Sequence, residues 1–247
     1  MAGLAMDDLS WQVEEACLNA WPSPRHALVH GYLLRAAGGS SKRINSCNPL
    51  RGAGDPEAAI TASEAIYAGL GLRPIFRVPD IAAQMLPGLE RRGYRAIGQT
   101  RTLYRDLGPC AGAEVSVAPA PSADWLAIRD AVSGHHAETA RTFRMVTEAI
   151  LLPRAFVSVE GPDGIGAICF GVRAGALLVI ESVAVPEALR RHGFARKAVA
   201  GLMRWGAEMG ASAVCLQVED SNTAAISLYQ SLGFTRELYR YHYRVRD

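Results

Sequence analysis

Apolar positions along this chain change period several times, and each change marks an element. Helical spacing over residues 8–20 predicts an amphipathic helix. Strand-like patterning in "HALVHGYLLRAA" and "KRINSCNPL" predicts two strands joined by a hairpin turn at "GGSS". Asp55-Pro56-Glu57 opens a helix predicted through about Leu70, with Pro56 in the first turn, where its missing N–H costs nothing. "PIFRV" predicts a short strand, residues 80–92 a helix closing at Gly93, and "YRAIGQTRTLYRDL" an extended run. In the second half, "DWLAIRDAV" and "AETARTFRMVTEAIL" predict helices, and "AFVSVE", "GIGAICFGVR" and "ALLVIESVAV" predict three strands. Residues 192–209 then predict a long helix, "AVCLQVE" a strand, "TAAISLYQSLGF" a helix and "ELYRYHYRV" a last strand.

The halves thus share a rhythm of helix, hairpin, helix, strand, helix, strand, which implies an α/β protein of two related units. The Pro-, Gly- and Ala-rich stretch at residues 106–124 marks the boundary, although "EVSV" inside it alternates as a first strand would. The units are expected at 1–110 and 111–247. A net charge of +2 is too small to nominate nucleic acid or anionic lipid, so any polyanion site must be local. Five scattered cysteines without metal-type pairing read as reduced thiols in a cytoplasmic protein. The N-terminus lacks the charge pattern of a signal peptide, and no apolar run is long enough to span a membrane.

The chemistry concentrates where "SVAVPEALRRHGFARKAVAGLMRW" breaks at Pro186 and enters a helix near Gly193. A helix start offers unpaired N–H groups and the positive end of its dipole. Gly193 and Ala195 keep that approach small, and Arg190, Arg191 and Arg196 add cations suited to phosphate. Further on, Asn222 and Tyr229 stand seven residues apart, nearly on one helix face and about 10 Å apart along its axis. Taken singly, each segment also fits a plain strand-to-helix turn, an N-cap and a core aromatic.

Together the two segments resemble the GNAT superfamily of acetyl-coenzyme A-dependent N-acetyltransferases. Arg190, Gly193 and Ala195 fit its [QR]-x-x-G-x-[GA] signature; Asn222, Ala225, Tyr229, Gly233 and Phe234 fit N-x-x-A-x-x-x-Y-x-x-x-G-F. The resemblance covers residues 114–247 and implies a mixed, mostly antiparallel central sheet flanked by helices. It implies that main-chain amides across Arg191, His192, Gly193, Phe194, Ala195 and Arg196 cradle the pyrophosphate of acetyl-CoA, a cosubstrate used without a metal. Val183 and Val185 would bind the pantetheine arm through their backbone, and Asn222 would contact it further along. Tyr229 would be the general acid for the leaving thiolate, and a strand amide near Val183 would donate to the oxyanion.

The base is less directly indicated. Some relatives carry Glu five residues before the Asn, where this chain has Gln217. Glu181 is the candidate, placed by strand alternation on the face of Val183 and Val185; its alternative is an ion pair with an arginine of the first half. Glu219 and Asp220 are expected to shape the loop before Asn222. His135 and His136 lie near the expected acceptor pocket, though surface positions suit them better. The first half lacks the glycine signature and is expected to wall the acceptor site, with Arg43 and Asn45 as helpers or as ordinary turn residues. The reaction implied is direct acetyl transfer to a primary amine, a small molecule or a peptide N-terminus, by a monomer or homodimer. The rival reading is a non-catalytic acyl-CoA-binding sensor; a nucleic-acid-binding reading rests only on "RELYRYHYRVR", whose arginines and tyrosines fall on opposite faces.

Overall fold

The computed structural model describes residues 6–52, 54–108, 114–134 and 136–246. The first half runs α1 (Met6–Ala20), β1 (His26–Val29), β2 (Tyr32–Arg35), β3 (Cys47–Pro49), α2 (Pro56–Gly69), β4 (Ile75–Pro79), α3 (Leu86–Arg91) and β5 (Arg95–Asp106). The second runs β6 (Ser116–Ala118), α4 (Ala123–Val132), α5 (Ala137–Glu148), β7 (Arg154–Gly161), β8 (Gly164–Ala174) and β9 (Leu177–Ala184). It continues through α6 (Phe194–Glu208), β10 (Ala213–Glu219), α7 (Thr223–Ser231) and β11 (Arg236–Val245).

Three stretches fold differently from the pattern; in one of them, "KRINSCNPL", Lys42–Ile44 is a 3-10 turn and only Cys47–Pro49 is a strand. Residues 26–37 form a tight hairpin, β1–β2, which turns at His30 and Gly31 with φ of 48° and 84°. A two-residue turn of that hand matches the twist of its strands, and glycine adopts it without strain. "GGSS" is a loop instead, tied to the Asn45 carboxamide, which accepts from the Gly38 amide and donates to the Gly38 and Ser41 carbonyls. Residues 80–92 divide into a 3-10 segment, Asp80–Met85, itself interrupted where Ala82 leaves helical geometry, and the short α3.

Among the described residues, eleven strands join one sheet in the order β1-β2-β3-β4-β11-β5-β10-β9-β8-β7-β6. Only β3–β4 and β9–β10 pair in parallel; the other eight neighbours are antiparallel. The expected class, a mixed, mostly antiparallel α/β sheet flanked by helices, is what the chain forms. Each half repeats the unit of a parallel pair joined through a helix, β3–α2–β4 and β9–α6–β10. The final strands are interchanged. β11 lies between β4 and β5, and β5 lies between β10 and β11.

Helix α1 opens the first half yet packs on β8 and β9 of the second. There Val13, Ala16 and Trp21 join Trp125, Phe143, Phe156 and Phe170 in one core. Trp125 stacks on Phe143 at 5.6 Å, and Phe156 on Phe170 at 5.2 Å. Full burial of each such side chain contributes about 2 kcal/mol. The opposite face is covered by α6, whose Ala198, Val199 and Leu202 share a second core with Ile180, Leu216 and Tyr229. Among the described residues, no helix is long and apolar enough to cross a membrane.

Candidate active site

The loop after β9 makes a 3-10 turn over Glu187–Leu189, then passes through left-handed conformations at Arg191 (φ 69°) and Gly193 (φ 82°). Gly193 is the N-cap of α6, and no side chain caps that helix. A Cβ at Gly193 would meet nothing within 4 Å. The first-turn amides, which no helix can satisfy internally, therefore face an uncovered approach at the positive end of a 15-residue helix. Such a cradle fits a phosphate group. Arg190, Arg191, His192 and Gly193 are exposed, and the His192 ring is held against the Arg190 carbonyl at 2.8 Å. Phe194 turns its ring onto Gly166 of β8, where a Cβ would come within 2.7 Å of it. The Arg196 guanidinium donates to the Ser231 hydroxyl (2.6 Å) and carbonyl (3.3 Å) at the end of α7. The side chains of Phe194 and Arg196 thus fasten the helix, and with Ala195 between them they form its first turn, whose amides no side chain caps.

Beside this helix start the sheet opens. Strands β9 and β10 pair from Leu177↔Ala213 to Ile180↔Leu216; β9 runs on to Ala184 and β10 to Glu219 without further pairing to each other. Main-chain groups of β9 beyond Ile180 have no pairing partner in β10. Val183 lies in this stretch and Val185 directly after it.

A bulge governs the side chains here. Phe170 pairs with Glu181 and Ile168 with Ala184, so Ser182 and Val183 together oppose Cys169, and Ser182 takes φ 50°. The extra residue reverses alternation. Leu178, Ile180, Val183 and Val185 pack in the α6-side core, whereas Val179 and Ala184 belong to the α1-side core. The expectation that Glu181 shares a face with Val183 and Val185 is therefore corrected: Glu181 turns toward α1.

There it meets the first half. Arg43 Nη1 and Nη2 donate to the two Glu181 oxygens at 2.8 and 2.5 Å, and the guanidinium lies 4.3 Å over the Trp21 ring. The carboxylate is 8% exposed, and the bidentate pair offsets the cost of burying its charge. Burial pulls the Arg43 guanidinium down, but the attraction of Glu181 outweighs it and holds the group above its usual range. The arginine-pair alternative for Glu181 is thus what the chain adopts. Each carboxylate oxygen keeps a further lone pair for another donor.

Tyr229 is 7% exposed and packs edge-to-face on Phe234 with ring centroids 5.8 Å apart. Burial first, then the neighbouring Cys169 and Glu181, push its phenol well above the usual value of 10. It stays protonated at neutral pH. Asn222 is the N-cap of α7, its Oδ1 accepting from the Ala225 amide at 3.1 Å, which leaves Nδ2 as the donor available to a ligand. The Glu219 carbonyl accepts from the Asn222 amide, and Asp220 pairs with Arg101 and Arg240; both shape the loop as expected. Gln217 is only within 3.5 Å of the Tyr239 hydroxyl. His136 is an exposed residue at the start of α5, and His135 and Cys110 lie outside the described residues. The other four cysteines are buried thiols.

The sequence reading missed a buried polar group under α1. Glu14 of α1, fully buried, accepts from Arg77 and from the Tyr239 hydroxyl (2.6 Å). Tyr239, Tyr241 and Tyr243 are all buried, so β11 presents no stacking platform for bases. A Glu at residue 14 on the apolar face of α1 was the available signal.

Residues 11–244 match the family described as "Probable histone acetyltransferase Rv0428c C-terminal". The chain belongs to this family of GNAT acetyltransferases. It is similar to an uncharacterized N-acetyltransferase, YobR, of Bacillus subtilis, at 24% identity over 98% of this chain and 100% of the relative. Its fold is similar to that of a GCN5-related N-acetyltransferase from Kribbella flavida, at 16% identity, TM-score 0.69, covering 99% of this chain and 96% of that one. A tandem GNAT protein from the clavulanic acid biosynthesis pathway has the same fold at 11% identity, TM-score 0.66, covering 98% and 96%. This GNAT acetyltransferase therefore shares its fold with a tandem relative along nearly its whole length.

Proposed function

We propose that this chain transfers the acetyl group of acetyl-CoA directly to a primary amine, with the reacting centre in residues 111–247 and residues 1–110 walling the acceptor side. The observation that carries the reading is the uncapped start of α6 beside the parted ends of β9 and β10. The donor brings an activated acetyl thioester. Amides from Arg191 to Arg196 hold its pyrophosphate, with Arg190 and Arg191 as exposed countercharges. Main-chain groups of Val183 and Val185 line its arm, Asn222 reaches it through Nδ2, and Ala225 leaves room on the face of α7.

A main-chain N–H near Val183 stabilises negative charge as it develops on the carbonyl oxygen. Tyr229 returns a proton to the departing thiolate. A phenol shifted upward by burial is a weak acid, yet a buried thiolate is a strong base for it, so the transfer needs no charged acid in the core. Glu181, paired with Arg43, orients the acceptor amine with its remaining lone pairs and takes its proton, directly or through water. Loop 38–41 of the first half lies against α5, with the site of a Gly39 Cβ 2.9 Å from the Thr142 hydroxyl, which supports the walling role.

A turnover assay with acetyl-CoA and a panel of primary amines, following free thiol, tests the reading. Amine-dependent thiol release is expected. Tight coenzyme A binding without turnover on any amine would instead favour the sensor.

A further inference from the structure

Next to the Arg43–Glu181 pair lies a narrow pocket whose lining includes Trp21, Arg35, Arg43, Asn48, Arg77 and Gln217. Three guanidinium groups share it, and their compensation is unequal. Arg77 is paired with Glu14 and Arg43 with Glu181. Arg35, 5% exposed, has no carboxylate partner among the described residues. Its terminal nitrogens donate only to carbonyls, those of Leu18 (2.8 Å), Trp21 (2.9 Å) and Arg43 (3.3 Å). Its Nε–H and the indole N–H of Trp21 are buried without a partner. Burial first, then repulsion from Arg77 and Arg43, lowers the Arg35 guanidinium to about 10.

Three arginines against two carboxylates leave one buried positive charge in excess. A water in the pocket could satisfy N–H groups but not that charge; a carboxylate does both. The inner space has room for about one water-sized group, which suits a carboxylate oxygen better than a phosphoryl group or a sugar ring. Its position is equally telling. Arg43 lines the pocket and also holds Glu181, and Gln217 lies on β10 just past the last residue paired with β9.

We infer that this pocket takes one oxygen of the acceptor's carboxylate, the rest of the group lying at its mouth beside Arg43, so that the acceptor is an amine of the free amino-acid class. The inference rests on the acetyl transfer proposed above. With its carboxylate beside Arg35 and Arg43, an amino acid presents its amine at Glu181 and the open edge of β9. Polyamines, aminoglycosides and lysine side chains within proteins offer these arginines no anion.

The unaltered chain, with acetyl-CoA, is assayed for thiol release on the common L-amino acids, their matching amides, spermidine, kanamycin and a lysine-rich peptide amide. At least one amino acid is expected to show a kcat/KM ten or more times that of its own amide. The amide's amine is the more easily deprotonated, so chemical reactivity runs against this result. Equal rates for acid and amide, or preference for spermidine, kanamycin or the peptide, would overturn the inference and leave acetyl transfer standing. If no acceptor turns over, acetyl transfer fails, and calorimetry in the presence of coenzyme A decides the pocket separately. Tenfold tighter binding of an acid than its amide supports it; equal binding, or none, overturns it. Because Arg35 also holds three main-chain carbonyls, the ligand comparison, not a variant, carries the test.

Discussion

Two crossovers of the same form, β3–α2–β4 and β9–α6–β10, lie in one sheet, and they differ at the start of their helices. In the first, Asp55 caps α2, its carboxylate accepting from the Ala58 amide at 3.0 Å and its own amide donating to the His30 carbonyl. The loop before it is packed: a Cβ at Gly54 would stand 2.5 Å from the His30 carbonyl oxygen and 2.8 Å from the Tyr32 ring. In the second, Gly193 caps α6 with backbone alone and has open space around it. The strands differ as well. Only Cys47↔Phe76 pairs β3 with β4, whereas β9 and β10 hold four pairs before they part. A helix dipole is present at both places. An anion site needs more: amides without an internal acceptor, and a free approach to them.

The contrast can be broken most strongly by removing chemistry from the open crossover while keeping its packing. Tyr229→Phe retains the edge-to-face contact with Phe234 and loses only the phenol proton. Turnover is expected to fall roughly 10- to 1,000-fold with coenzyme A affinity and melting temperature little changed. A wild-type rate in steady-state kinetics would remove Tyr229 from the mechanism.

Giving α6 the acidic cap that α2 already has should come next. Gly193→Asp sets a carboxylate at the phosphate cradle, and acetyl-CoA binding is expected to weaken by at least ~2 kcal/mol, about 30-fold. Calorimetry on the folded variant reads this directly; unchanged affinity would place the pyrophosphate elsewhere.

Glu181→Gln probes the contact between the two halves. The rate should drop about tenfold at neutral pH and partly recover at high pH, where the amine is already deprotonated. The variant leaves the Arg43 charge half-buried without its anion, and denaturant unfolding should show a loss of ~1–3 kcal/mol. A rate loss that is the same at every pH would assign Glu181 a positioning role alone.

The smallest effect is expected at the closed crossover. Asp55→Ala removes the α2 cap at a cost of ~1 kcal/mol of stability. It should create no second cofactor site, because His30 and Tyr32 still fill the approach. Titration should saturate at one coenzyme A per chain in both proteins, and a stoichiometry of two in either would undo the contrast.

The sequence by itself determined what depends on neighbours a few residues away. Asp55-Pro56 starts α2, Asn222 caps α7, Gly193 turns left-handed before α6, and the run of apolar periods sets most of the helices and strands. Backbone preference and capping are local forces, so they are written locally. Tertiary structure alone decided the strand interchange, since nothing local in the long runs β5 and β11 says which half each pairs with. It alone placed α1 over β8 and β9, and joined Arg43 to Glu181 across 138 residues. The bulge at Ser182 was hidden for the same reason. "LLVIESVAV" is apolar on both faces because both faces are buried, so it carries no alternation from which a slip of one residue could be read. Only packing against α6 on one side and α1 on the other fixes which way Glu181 turns.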